Sequence, residues 1–344
     1  KLRIRFSSPL FLIYSQSVLY LLIIITCLCS DIFLLFLFIF VIIFFGGIMD
    51  YFSCCKLCPR ECGVNRNNSI GFCKANNKLK IARADLHFFE EPIISGDFGS
   101  GAIFFSNCNL RCVFCQNYEI SSECVGKEIS VSKFSDICID LQNKGALNIN
   151  LVTPTHYVPL IREGLLLAKE KGLSIPIVYN TSSYENVSTL KMLDGIVDVY
   201  LPDLKYYSND LAIKYSSCPD YFKYASSSIE EMYRQVGSPV FDEDGIIKRG
   251  VVVRHLMLPG CYDDSVKIID YLYNRYHDDV FISIMNQYTP IRELEFDELN
   301  RVLSNDEYYR MIDYAYDLGI RNCFVQEDGT QKKSFIPDFS TQEF

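Results

Sequence analysis

From Gly99 onward the chain alternates short apolar runs with amphipathic stretches, and this alternation limits the fold more than any other feature of its 344 residues. Runs of strand length fall at 102–105, 147–152, 175–179, 196–201, 251–258, 280–285 and 322–325. Runs with so little polar alternation suit strands buried on both faces, the condition of a parallel sheet. The stretches between them carry helix punctuation. Ser132 reads as a cap, with Phe134, Ile137, Cys138 and Leu141 on one face and Gly145 as the stop. Ser228 with Glu231 and Ser304 with Glu307 read as capping boxes, with Gly237 and Gly319 as their stops, and Pro159 suits a first helical turn. No Gly-rich dinucleotide fingerprint follows a strand. The expectation is an α/β chain folded as an incomplete (β/α) barrel of about six parallel strands, rather than a doubly wound sheet.

Polar residues fall where such a barrel keeps its chemistry, at the C-terminal ends of the strands. Three cysteines follow the first run. Thr153 and Thr155 follow the second, Asn180 and Ser182 the third, Asp203 and Lys205 the fourth. Arg254 lies on the fifth, and Asn286, Gln287 and Tyr288 close the sixth. An arginine on a buried strand needs an anionic partner, from the protein or from a ligand. His156 reads as a core or surface residue, and His87 and His277 receive no role.

The cysteines after the first run, Cys108, Cys112 and Cys115, are spaced C-x-x-x-C-x-x-C. Thiolates this dense on one loop can close around one metal centre. An electron-transfer cubane normally takes four cysteines, so three would leave a position open for a small molecule. A second group, Cys55, Cys58, Cys62 and Cys73, has turn residues Pro59, Gly63 and Gly71 around it. Four thiolates in this arrangement suit zinc or a second iron-sulfur cluster, and spacing does not separate the two. Cys54 is then the spare. Cys124, Cys138, Cys218, Cys261 and Cys323 are isolated and read as small core or surface residues, with Cys124 near the first cysteine loop. Fifteen cysteines, odd in number and clustered, argue against a disulfide framework and for a reducing, cytoplasmic setting. A net charge of -9 gives nucleic-acid binding no electrostatic footing.

The stretch from Asn107 to Tyr118, N-C-N-L-R-C-V-F-C-Q-N-Y, resembles the cluster loop of the radical S-adenosylmethionine superfamily. The branch it is most similar to is that of the pyruvate formate-lyase activating enzyme-related proteins, over about residues 55–326. The resemblance implies a [4Fe-4S] cluster on Cys108, Cys112 and Cys115 whose open iron binds the amino and carboxylate groups of S-adenosyl-L-methionine. An electron from the cluster would split the sulfonium, giving a 5'-deoxyadenosyl radical that abstracts hydrogen. It further implies Phe114 beside the adenine, and Asp203 and Lys205, in the stretch D-L-K, against the cofactor. Arg254 opens R-x-x-x-x-P-G, also similar to the activating enzymes. Thr153 and Asn180 complete the expected cofactor-binding set. The chain departs from the branch after the second strand, where Val152-Thr153-Pro154-Thr155-His156 replaces the usual Gly-Gly-Glu and leaves the amino-group anchor without its carboxylate. The second cysteine group is similar to the branch's C-x-x-C-P-R-x-C-x-x-N-R signature. Expected partners are an electron donor such as flavodoxin or ferredoxin, with a glycyl-radical enzyme among the allowed targets. A two-cluster electron-transfer protein is the alternative from another class.

The first 48 residues stand apart. Residues 18–45 are almost wholly apolar, broken by Ser30 and Asp31, and long enough to span a bilayer. Lys1, Arg3 and Arg5 precede them, which under the positive-inside rule would place the cysteine domain outside the cell. The preferred reading is upstream sequence, with translation starting at Met49, since Gly46-Gly47-Ile48-Met49 can be encoded by a ribosome-binding site and a start codon. A membrane anchor is the alternative. The expected organisation is therefore the apolar extension 1–48, a small N-terminal cysteine-rich lobe 49–98, the barrel 99–327 and a tail 328–344.

Overall fold

The computed structural model describes residues 50–326 together with Pro337 and Phe339. The apolar extension and nearly all of the tail lie outside the described residues. No helix among the described residues is long and apolar enough to cross a membrane. The described residues from Tyr51 onward belong to one compact unit.

Seven strands run parallel in the order β2 (Ser100–Phe105), β4 (Ile149–Val152), β5 (Ile177–Thr181), β6 (Val199–Pro202), β8 (Ile247–Leu256), β9 (Phe281–Met285) and β10 (Cys323–Val325). Every residue of β2, β4, β5 and β6 is buried, as the unbroken apolar runs require of strands covered on both faces. Each of the seven runs is a strand, one more than the six expected. Several end later than hydropathy suggests. β5 continues through Asn180 and Thr181, polar residues that remain in the ladder because their side chains find partners.

A strand from residues 51–98 extends the sheet of the barrel. β1 (Leu79–His87) pairs antiparallel with β2 along Ser100–Phe105, and β3 (Lys127–Ile129) pairs antiparallel with β1. Neither strand stands out in the sequence, because half-buried strands lack an apolar run. A short β7 (Val240–Phe241) folds back on β8.

Among the longer helices, α1 (Val131–Asn143) buries Phe134, Ile137, Cys138 and Leu141 as expected. Its cap is Ser130, whose hydroxyl accepts from the Lys133 N–H, and not Ser132. α2 (Val158–Glu170) starts with Pro159 in its first turn. α3 (Asn209–Ser216) and α4 (Tyr221–Val236) follow β6. Ser228 lies inside α4, where its hydroxyl donates to the Tyr224 carbonyl and Ser183 carbonyl, so the capping box expected there does not form. α5 (Tyr262–Tyr276) precedes β9, and α6 (Asn305–Leu318) carries the expected Ser304–Glu307 capping box and ends at left-handed Gly319.

Candidate active site

A cavity opens at the C-terminal ends of the parallel strands. Val152 and Thr153, Asn180 to Ser182, Asp203, Arg254, Leu256 and Met285 all line it, from the C-terminal parts of five strands or just beyond. Strand ends can surround one cavity only if the sheet curls, so the open sheet is a partial barrel. Cys108, Cys112, Cys115 and Phe114 line the same cavity from the loop after β2.

Each sulfur of that loop has a hydrogen-bond partner. The Leu110 N–H points at Cys108 Sγ at 3.4 Å, the Ser216 hydroxyl at Cys112 Sγ at 3.0 Å, and Ser121 Oγ lies 3.3 Å from Cys115 Sγ. The loop is clamped by the end of α3, whose Ser216 and Tyr215 carbonyls accept from the Arg111 and Val113 N–H groups. Burial pushes the Cys108 thiol up to about 12 and the Cys112 thiol to about 11, so ionisation has to accompany metal binding. Three soft donors on one cavity wall, each met by an N–H or O–H, fit a thiolate-held cluster with an open position. Phe114 is buried against Tyr288, with ring centroids 6.0 Å apart.

An ionic network lines the same cavity. Asp203 Oδ2 accepts from Lys205 Nζ at 2.7 Å and Oδ1 from Arg254 Nε at 2.9 Å. Arg254 also reaches Glu90 Oε2 at 3.0 Å and Asn180 Oδ1 at 2.6 Å. Glu90 Oε1 accepts from Asn150 and Asn180 side-chain amides. The anionic partner of Arg254 is therefore protein, supplied twice. Burial alone would raise the Asp203 carboxyl, but Arg254 and Lys205 outweigh it and hold it below its usual range. Burial would lower Lys205, and the neighbouring Asp203 and Cys112 keep it above its usual range. Both groups stay charged beside the cysteines. Thr153 lines the cavity with φ +60, a left-handed conformation that is strained for a β-branched residue and turns this corner into the cavity.

Other residues on the expected rim point elsewhere. Thr155 is buried and donates to Glu185 Oε1 at 2.7 Å. His156 is a core residue, with Nε2 2.9 Å from the Ser106 carbonyl and burial driving its ring to about 3, hence neutral. Tyr288 donates inward to the Leu299 carbonyl. Gln287 does line the cavity, and so does His87, which sits among Phe89 and Phe104. Cys124 does not line it and accepts from Asn107 Nδ2 at 3.2 Å. The residue missed in the sequence is Glu90, in the link between β1 and β2. Only its place beside an invisible strand could have signalled it.

Cys55, Cys58 and Cys73 are buried and Cys62 is exposed, in a segment packed behind the cysteine loop. Arg60 Nε donates to the Asn109 carbonyl at 2.9 Å, and Thr189 and Asn186 hold the Leu57 and Lys56 carbonyls. A Cβ placed on Gly71 would stand 3.4 Å from both Cys62 Sγ and Cys73 Sγ, so these sulfurs face one spot. Arg66 is fully buried among them. It donates to the His156 carbonyl at 2.7 Å, to the Asn76 carbonyl and toward Cys55 Sγ at 3.7 Å. No ion pair to it forms among the described residues. Nor do three Cys, His, Asp or Glu side chains among the described residues converge tightly enough to hold a single ion.

The fold and this site define a partial (β/α) barrel with a three-cysteine loop at the mouth of its cavity. No family model matches the chain. It is 29% identical over 282 residues to an uncharacterized protein of Methanocaldococcus jannaschii, covering 77% of this chain and 75% of that one. Among solved structures it is similar to Streptococcus suis SuiB bound to S-adenosylmethionine, at 13% identity and a TM-score of 0.45, over 65% of this chain and 49% of that one. HydG, a maturase of the [FeFe]-hydrogenase, gives 12% identity and a TM-score of 0.46 over 66% and 52% of the two chains. A domain of pyruvate-formate lyase-activating enzyme from Bacteroides vulgatus gives 11% identity and a TM-score of 0.37 over 50% and 92%. The chain spans about half the length of SuiB and of HydG.

Proposed function

We propose that this chain is a radical S-adenosylmethionine enzyme. The observation that carries the reading is the convergence, on one cavity, of three hydrogen-bonded cysteine sulfurs and the Asp203–Lys205–Arg254–Glu90 network. Cys108, Cys112 and Cys115 would hold a [4Fe-4S] cluster and leave one position open. That cluster, when bound, supplies the electron that cleaves S-adenosylmethionine to the hydrogen-abstracting 5'-deoxyadenosyl radical. Lys205 would pair with the methionine carboxylate, Asp203 would accept from the ribose hydroxyls, and Phe114 would stand beside the adenine. Among the described residues, Glu90 and Asp203 are the carboxylates lining the cavity, and Glu90 would take the amino-group role that Gly-Gly-Glu fills in the activating enzymes. Thr153 and Asn180 complete the polar wall. A flavodoxin or ferredoxin donor and, among targets, a glycine of a glycyl-radical enzyme are in keeping with this chemistry.

A second centre at Cys55, Cys58, Cys62 and Cys73 belongs to the same proposal, as zinc or iron-sulfur, and the four sulfurs would have to close around it on binding. A buried guanidinium without a carboxylate is costly, and a four-thiolate centre of net negative charge would offset it. The test of the main reading is anaerobic reconstitution with iron and sulfide, reduction, and assay for 5'-deoxyadenosine. Wild type should release it, and Cys108→Ala, Cys112→Ala and Cys115→Ala should not. Undiminished product from any one of the three variants would overturn the reading.

A further inference from the structure

We infer that Tyr206 and Ser216 form a hydrogen-bond relay onto Cys112 that raises the reduction potential of the centre bound there, an inference that rests on the function proposed above. The Ser216 hydroxyl donates to Cys112 Sγ at 3.0 Å, and the Tyr206 hydroxyl lies 2.7 Å from Ser216 Oγ. A serine hydroxyl has one proton. With that proton on the sulfur, Tyr206 must be the donor to Ser216, so the direction of the chain is fixed: Tyr206 to Ser216 to Cys112. Ser216 is fully buried and Tyr206 is 1% exposed, so water does not compete for either hydroxyl. Successive bonds of this kind polarise one another, and in a dry site the last one is strengthened.

The other two sulfurs are held differently. Cys108 takes a longer bond from the Leu110 N–H of its own loop, at 3.4 Å, and Cys115 is 3.3 Å from Ser121, whose hydroxyl is shared with Ser122. Among the described residues, Cys112 alone is reached by a two-membered chain from another part of the barrel, 104 residues away in sequence. The backbone keeps the relay in register, since the Arg111 and Val113 N–H groups bond the carbonyls of Ser216 and Tyr215 on either side of it. Hydrogen bonds to cluster sulfurs are among the determinants of potential. Reduction adds an electron and increases negative charge on the sulfurs, so a donated proton stabilises the reduced form more than the oxidised one. Tyr206 and Ser216 are thus positioning residues that act through Cys112.

The experiment is a redox titration, followed by paramagnetic resonance, of the full chain reconstituted anaerobically, comparing wild type, Ser216→Ala and Tyr206→Phe. Ser216→Ala should lower the ratio of reduced to oxidised centre at fixed potential about tenfold, which for a one-electron couple is about 59 mV. Tyr206→Phe should move it in the same direction by less, because the direct bond survives. A Ser216→Ala protein with full iron content and an unmoved or raised potential would overturn the relay. If Ser216→Ala takes up no cluster, Tyr206→Phe decides, and an unshifted potential there overturns it equally. A wild type that binds no cluster would instead sink the proposed function.

Discussion

Glu185 is buried just after β5, with Oε1 accepting from Thr155, Tyr179 and Thr181, while Oε2 is buried without a hydrogen-bond partner. Burial raises this carboxyl to about 7 against those three hydroxyls, which lower it. Its folded value lies above its unfolded one, so between about pH 4.5 and 7 the native state binds the extra proton. Stability from this group is then full at acid pH, falls as pH rises through that window, and is level above it. The drop is roughly 3 kcal/mol at most. Denaturant titrations across this range should show the decline in wild type and its loss in Glu185→Gln; an unchanged slope in the variant would refute the assignment. At the rim, Lys205→Ala should weaken S-adenosylmethionine binding about tenfold to hundredfold, as loss of a contact to a charged group worth roughly 1.5–3 kcal/mol. The cluster should still assemble, which cofactor titration beside iron analysis would check. The cysteines and the Asp203–Lys205 pair were legible because their spacing and place after a strand carry the signal. Glu90 was not, since its partner Arg254 is 164 residues away and nothing local marks the pair.

At the scale of elements, end signals were read well and starts less well. Gly237 and Gly319 end their helices as expected because a left-handed or otherwise open backbone there favours glycine. Ser130 and Ser132 are both serines near the start of α1, and only geometry says which one caps. Ser130→Ala should cost about 1 kcal/mol and Ser132→Ala much less, by thermal or chemical denaturation. Equal losses would contradict the observed cap. The cysteine segment offers a sharper contrast. Arg66→Met in the metal-loaded protein should destabilise strongly, because an anionic centre loses its counter-charge. In protein stripped anaerobically with a chelator the loss should be smaller, since there the guanidinium is itself the uncompensated charge. Melting temperatures of both forms test this, and an equal loss in the two would remove the reason to place a centre beside Arg66.

Over the whole molecule, the parallel strands were legible because burial on both faces demands unbroken apolar runs. The antiparallel extension was not, because β1 is only partly buried and β3 is three residues long. That extension has a consequence for handling the chain. β2 is buried along its whole length, and one of its two flanks is closed by β1 alone. A fragment begun at Gly99 would present that flank as an open row of N–H and C=O groups on an apolar strand, the template along which chains add to one another. We expect such a fragment to precipitate or oligomerise on expression, as light scattering would show, whereas a fragment retaining β1 stays monodisperse. The stretch that reads in sequence as a metal-binding appendage would, on this view, also serve as the guard against self-association.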